Sequence, residues 1–377
     1  MTGFGVYIHW PYCAKLCPYC DFNVYRARDL DRSPLRAAIV ADIRGHAALY
    51  GRRPVDTIFL GGGTPSLMTG SDIAVLIEAV DAAYGLSPAA EITLEANPED
   101  AGRFAAHAAA GVNRFSVGVQ ALRDDALRAL GRAHDAAAAR RAVDAAAATG
   151  RRVSIDLIYA REGQGLADWT QELRAALALP AEHLSLYQLT IEAGTAFERA
   201  VARGRLSPPE DELAAALYEA TQALCVAHGA PAYEISNHAR GPAARARHNL
   251  LYWRGGDWIG VGPGAHGRLT HDGARLATRA HDRPEAYRAA VDAHGVGAAA
   301  VETLTRAAHA EEAVLMGLRV AEGLPRAAVE DLRGRPLDAG AVADFRAAGL
   351  LDDACDVVRL TPAGRLLADH IARRLAQ

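Results

Sequence analysis

The chain has 377 residues, half of them hydrophobic and 23% charged, the proportions of an ordinary globular protein with about two domains or one large barrel plus an appendage. Its 41 basic and 45 acidic residues leave a net charge of −4, which argues against broad electrostatic nucleic-acid binding. The N-terminus has no basic stretch followed by an apolar core, and no apolar run is long enough to span a bilayer. The expected location is therefore cytoplasmic, or peripheral to the membrane.

In chain order, Gly5 to Trp10 alternates and is β-rich, and reads as a strand. The loop that follows carries Cys13-Ala-Lys-Leu-Cys17-Pro-Tyr-Cys20. Ser33 to Tyr50 reads as a helix with Ser33 as N-cap and Pro34 in the first turn. A buried strand beginning at Asp56 runs straight into Gly61-Gly-Gly-Thr-Pro-Ser66, and Ser71 to Tyr84 is a helix. The strand Glu91 to Pro98 and a helix around Asp100 to Ala110 lead to the strand Arg114 to Gln120. An Ala-rich helix, Asp135 to Thr149, precedes the strand Arg152 to Tyr159. The helix Asp168 to Leu179 leads to the strand His183 to Leu189.

Six strands, five of them preceded by a helical stretch, indicate right-handed βα units around a parallel sheet. Six units are fewer than the eight of a complete barrel. The expected fold is α/β, a partial, open (β/α)6 barrel whose open side admits a large substrate. Beyond Leu189 the rhythm changes. A helix from Pro209 to His228 is followed by Tyr233 to Asn237, a loop with Arg240, Arg245 and Arg247, the string His248 to Trp253, and a Gly-rich segment from Asp257 to Gly267. From about His309 short helices predominate, ending in one from Thr361 onward, as in a small winged-helix-like bundle. The expected division is a barrel over residues 1–230 and a C-terminal α+β, mostly helical domain over residues 231–377.

Three cysteines within eight residues cannot pair off evenly, so a metal centre explains them better than a disulfide framework. Two centres compete. His9 could join the cysteines in a Cys3His zinc site. Alternatively, three thiolates could ligate three irons of a four-iron cluster and leave the fourth open to a substrate. Cys225 and Cys355 lie in helix-like surroundings and read as buried small apolar residues. The spacing Cys-x3-Cys-x2-Cys resembles the radical S-adenosylmethionine (SAM) superfamily, in which the open iron chelates the methionine end of SAM. A glycine triplet alone is usually a tight turn; directly after a strand it also exposes backbone groups to a ligand. Glu95, Gln120, Arg132 and Asp156 lie on or just beyond the third, fourth and fifth strands. They read either as a structural salt bridge, such as Glu95 with Arg132, or as polar recognition of SAM. An arginine suits the carboxylate, and acids suit the ammonium or the ribose hydroxyls.

The string Tyr7-Ile-His-Trp-Pro-Tyr-Cys13 through Cys20-Asp-Phe resembles the oxygen-independent coproporphyrinogen III oxidase group of radical SAM proteins. Gly61 to Ser66, Leu94-Glu-Ala-Asn-Pro98, Gly118-Val-Gln120, Leu130-Gly-Arg-Ala-His134 and Asp156-Leu-Ile-Tyr159 are similar to the group's other motifs, in the same order. The resemblance implies a 4Fe-4S cluster on Cys13, Cys17 and Cys20. It implies SAM contacts from Tyr7, Gly62, Gly63, Thr64, Glu95, Gln120, Arg132 and Asp156. Where members continue with Gly-Leu-Pro-x-Gln, this chain has Ala160-Arg-Glu-Gly-Gln164, a departure that weakens any adenine contact there.

The group holds true oxidases and a HemW-type branch of haem chaperones. The oxidases carry a fourth cysteine two residues after the third, where this chain has Phe22, and a longer extension before the first strand, where it has Met1 to Phe4. The chaperone branch carries His-Asn-x-x-Tyr-Trp, matched by His248, Asn249, Tyr252 and Trp253. All three features favour the chaperone, and the resemblance implies that this motif binds haem b. A neutral imidazole is a common haem-iron ligand, Tyr252 and Trp253 suit the porphyrin face, and Arg240, Arg245 and Arg247 suit its propionates. The bland alternatives are a satisfied histidine and a solvated basic loop, with His266 a weaker second candidate. The implied function is delivery of haem to haem-requiring apoproteins, respiratory enzymes among them, with an unidentified electron donor for the cluster. The alternative is oxidative decarboxylation of coproporphyrinogen III in porphyrin biosynthesis. Whether the chain is an enzyme stays open at this point.

Overall fold

A computed structural model describes residues 3–27, 31–354 and 356–377; Cys355 lies outside them. The six expected strands form in order: β1 (Phe4–Trp10), β2 (Val55–Gly62), β3 (Leu86–Ala96), β4 (Arg114–Gln120), β5 (Arg152–Tyr159) and β6 (His183–Gln188). Each pairs in parallel with the next, as the intervening helices require. The sheet continues at both ends. β7 (Asn237–Ala239) runs antiparallel to β6. On the other side β8 (Asp257–Val261) pairs in parallel with β1, from Phe4 against Asp257 to Ile8 against Val261. Then β9 (His266–His271), β10 (Ala274–Ala280) and β11 (Ala298–Thr303) follow antiparallel.

The order is linear, from β11 at one edge to β7 at the other, so the sheet is open rather than closed. A seventh parallel strand is thus added to the six expected. The sheet also runs across residue 230, where the domain division was expected. A separate core begins only at Val314 and ends at Leu375. Around it, helices Arg306–Gly317, Arg326–Arg333, Ala339–Ala347 and Ala368–Ala376 flank a three-stranded antiparallel sheet of Leu324–Pro325, Leu351–Ala354 and Val357–Leu360.

One face of each parallel strand supplies the main core. Val6, Ile8, Ile58, Leu60, Leu94, Phe115, Val117, Ile155 and Leu157 are wholly buried there. Helices Ser33–Tyr50, Gly70–Tyr84, Ala136–Ala148 and Leu166–Leu177 cover this face. Ser33 is the first helical residue rather than the cap: Arg32 holds the cap position, and the Ser33 hydroxyl donates to Asp31. Thr69 and Asp72 form a reciprocal capping box on the second helix. No helix among the described residues is long and apolar enough to cross a membrane.

Candidate functional site

The other face of the parallel strands lines a cavity at their C-terminal ends. Its first wall is the cysteine loop, which is tied to the glycine run through backbone bonds. The N–H of Gly63 donates to the Trp10 carbonyl at 2.7 Å, and that of Thr64 to the Tyr12 carbonyl at 2.9 Å. Glycine is required at residue 63, where a Cβ would lie 2.8 Å from the Tyr12 carbonyl oxygen. At Gly62 the backbone sits at φ 105°, and a Cβ would strike the His9 ring. Loop and glycine turn are therefore built as one unit.

Cys13, Cys17 and Cys20 all line the cavity and form no disulfide. Burial pushes the Cys13 thiol up, and the Cys20 thiol up to about 11. A bound metal would reverse that by favouring the thiolates. His9 is not available to them: Nδ1 lies 2.9 Å from the Tyr7 hydroxyl and Nε2 2.9 Å from the Asn23 carbonyl. No group of three His, Cys, Asp or Glu side chains among the described residues is placed to hold a single metal ion. In a four-iron cluster each thiolate instead meets a different iron.

Arg132 reaches into the same wall. Its Nη1 donates to Cys17 Sγ at 3.3 Å and its Nη2 to Asn97 Oδ1 at 2.6 Å, while its buried Nε has no partner. Glu95 accepts from the Gly62 N–H at 3.0 Å, so the alternative of a Glu95–Arg132 salt bridge is not what forms. Asp156 accepts from Ser116 Oγ at 3.1 Å. Burial and then the Asp156 charge push Glu95 up to about 8; burial pushes Asp156 up to about 6. Two neighbouring carboxylates without a basic partner among the described residues form a site that a cation would relieve. Gln120 closes the ring at φ 64°, a left-handed conformation uncommon for a side-chain-bearing residue.

The cavity thus unites the three cysteines with Gly62, Gly63, Thr64, Glu95, Gln120, Arg132 and Asp156. Cysteines in no disulfide, an orphaned guanidinium N–H, two acids without a basic partner among the described residues and a glycine backbone lining the cavity fit a sulfur-ligated cluster with a zwitterionic, cationic ligand. Tyr7 stands behind this wall, against His9 and Phe59, and does not line the cavity.

The Radical SAM superfamily model matches residues 7–176, and the HemN C-terminal domain model matches residues 304–367, which cover most of the second unit. "Heme chaperone HemW" of Mycobacterium tuberculosis (strain ATCC 25618 / H37Rv) is 39% identical over 378 residues, covering 99% of this chain and 94% of that protein. The chain belongs to the HemW family of radical SAM proteins. Another relative is the mitochondrial "Radical S-adenosyl methionine domain-containing protein 1" of Bos taurus, 41% identical over 85% of this chain and 74% of that protein. The solved structure of Escherichia coli coproporphyrinogen III oxidase (HemN), described as a radical SAM enzyme, shares the fold. Its TM-score is 0.82 at 22% identity, covering 100% of this chain and 90% of that one. Membership of the radical SAM superfamily implies a 4Fe-4S cluster and SAM.

The HemW-type motif falls on the helix Arg247–Trp253, which packs against β1 and β2. His248 is 1% exposed and stacks on Phe59. Its Nδ1 lies 2.8 Å from Thr57 Oγ1 and its Nε2 2.7 Å from the Tyr252 hydroxyl. Burial drives its pKa down to about 3. In this arrangement each ring nitrogen is within hydrogen-bond distance of a neighbouring hydroxyl. Asn249 does line the cavity. Trp253 turns away, under the Arg319 guanidinium at 4.6 Å, so the helix joins the cavity to the C-terminal unit. The loop arginines are largely committed. Arg240 donates to the carbonyls of Leu177, Ala181 and His228, and Arg247 to that of Ala89. Arg245 lies over the Tyr233 ring at 5.7 Å. His266 is exposed, on β9. Cys225 is wholly buried, as expected.

Sequence reasoning missed Asn97, Ser116, Ser154, His183, Ser185 and Tyr187, all of which line the cavity. A signal was present. Arg114-Phe-Ser-Val-Gly, Arg152-Val-Ser-Ile-Asp and His183-Leu-Ser-Leu-Tyr each place a polar, aromatic or glycine residue at every second position. Parallel strands buried on both faces usually read as continuous apolar runs, so this alternation marks a wetted inner face.

Proposed function

We propose that the protein is a haem chaperone that carries a SAM-bound 4Fe-4S cluster and passes haem b to haem-requiring apoproteins, respiratory enzymes among them. The observation that carries this reading is the lip of the cavity. Leu16, Phe22 and Tyr187 are 47%, 59% and 44% exposed, and all three line the cavity. Large apolar groups left in water around one opening suit a flat apolar ligand. A macrocycle entering edge-first meets these side chains with its ring and the polar interior with its propionates. Phe22 stands where the oxidases have a fourth cysteine, and the relative from M. tuberculosis bears the chaperone's name.

In this reading Cys13, Cys17 and Cys20 hold the cluster, which supplies one-electron chemistry to SAM when both are bound. Gly62, Gly63 and Thr64 offer backbone and hydroxyl groups to the methionine end, and Arg132 faces its carboxylate. Glu95 and Asp156 take the cationic and hydroxyl groups, with Gln120 beside them. Tyr7 acts through His9, which it orients. Of the chaperone motif, Asn249 reaches the ligand, while His248, Tyr252 and Trp253 hold its helix in place. The proposed setting is the cytoplasm, with an electron donor for the cluster.

The test is to reconstitute the cluster anaerobically, add SAM and reductant, and offer haem and coproporphyrinogen III in parallel. Stable haem uptake without decarboxylation is expected. Formation of protoporphyrinogen without haem uptake would replace this reading with the oxidase.

A further inference from the structure

Below Glu95 and Asp156, toward the N-terminal ends of the strands, the cavity has a second polar layer. Thr93 and Arg114 are register partners across β3 and β4, and both line the cavity. They are 2% and 1% exposed. Arg114 donates through Nε to Glu91 at 3.1 Å and through Nη2 to the Ala244 and Arg245 carbonyls at 2.6 and 3.0 Å. Its Nη1 has no partner, and neither has the Thr93 hydroxyl. Native proteins rarely leave such buried groups unsatisfied, so each calls for a ligand or an ordered water.

Asn249 brings a third group. Its side chain lines the same cavity and makes no hydrogen bond among the described residues. Glu91 holds the assembly together. One of its oxygens takes Arg114 and Arg152, and the other takes the backbone N–H groups of Arg247 and His248, just before Asn249 in the helix. The acid paired with Arg114 is thus already shared with a second guanidinium and a helix N-terminus. What remains on offer is a guanidinium N–H, a hydroxyl and a carboxamide.

We propose that Arg114, Thr93 and Asn249 form a carboxylate-binding subsite on the cavity floor. It is distinct from the SAM residues, since Thr93 lies two residues, about 7 Å, below Glu95 along the strand. A carboxylate supplies the acceptors these donors lack, and pairs with a guanidinium in a directed, charge-assisted way. Its source is either a propionate of haem, which rests on the chaperone reading, or a small free carboxylate.

The test uses the full-length, cluster-reconstituted protein and two mild variants combined, Thr93→Val and Asn249→Leu, with Arg114→Lys as an independent check. Haem b and its dimethyl ester are titrated side by side, and thermal unfolding is followed with and without acetate. If a propionate occupies the floor, the ester binds about tenfold more weakly to the wild type, and the double variant removes most of that difference. If the source is a free carboxylate, haem and ester bind alike, and acetate raises the melting temperature of the wild type but not of the double variant. Equal binding of haem and ester together with no acetate effect overturns the subsite, leaving the floor to water. A wild type that takes up no haem at all counts against the chaperone reading, while the acetate arm still decides the subsite.

Discussion

Replacing His248 by alanine separates a haem ligand from a residue that holds the cavity together. The imidazole makes two hydrogen bonds, to Thr57 and Tyr252, and stacks on Phe59 with ring centroids 5.1 Å apart. Alanine leaves the Thr57 hydroxyl, in a residue 1% exposed, without its partner, which costs about 1–3 kcal/mol. Loss of the stacked ring adds about 1 kcal/mol, and incomplete collapse of the space adds to that. A total near 3 kcal/mol should lower the urea midpoint of the haem-free protein by about 1 M, taking a slope of about 3 kcal/mol per M. Unfolding is followed by tryptophan fluorescence, and the haem complex by its Soret band. The structure predicts a weakened fold with the Soret position of the remaining complex unchanged. An unaltered midpoint with a shifted or lost Soret band would refute this reasoning and make His248 an iron ligand.

Three further outcomes are expected. Glu95 titrates near 8 in the folded protein against 4.5 for the free group, so the native state keeps a proton that the unfolded chain gives up. The contribution of Glu95 to the stability of the cofactor-free protein should therefore be full below about pH 4.5 and be lost as the pH rises toward 8, and that of Asp156 should be lost between 3.8 and about 6. Glu95→Gln should flatten the upper part of this profile in chemical denaturation, and a wild type of level stability across that window would count against the buried carboxylate. Cys17→Ser should abolish the broad visible absorption of the anaerobically reconstituted protein, and zinc found by metal analysis of the wild type would contradict the cluster. Phe22→Glu should weaken haem binding about tenfold by removing one apolar contact at the lip; an unchanged titration would place the haem elsewhere.

What could be read from the sequence was what short, local strings encode. The cysteine spacing, the glycine run and the strand-end acids stand close to their own backbone elements, so they could be placed without tertiary knowledge. β8 was harder. Asp257-Trp-Ile-Gly-Val reads as part of a glycine-rich loop, and it becomes a strand only because β1 offers an open edge. Its glycine has a tertiary cause: a Cβ at residue 260 would fall 2.1 Å from the His266 carbonyl oxygen. His248 shows the same limit. Whether an imidazole faces iron or a threonine depends on Thr57, 191 residues away in sequence. The basic look of Arg240 and Arg247 hid their use as backbone clamps for the same reason.

The position of β8 bears on how the chain is made. β1 is synthesised well before β8, and the edge it offers to β8 stays unpaired until residues 257–261 emerge. Closing that pairing is a long-range event of the slow kind. Until it happens, a seven-residue apolar strand presents a bare edge to other nascent chains. A chain released at residue 230 would keep that edge permanently, and should accumulate as aggregate where the full-length protein does not.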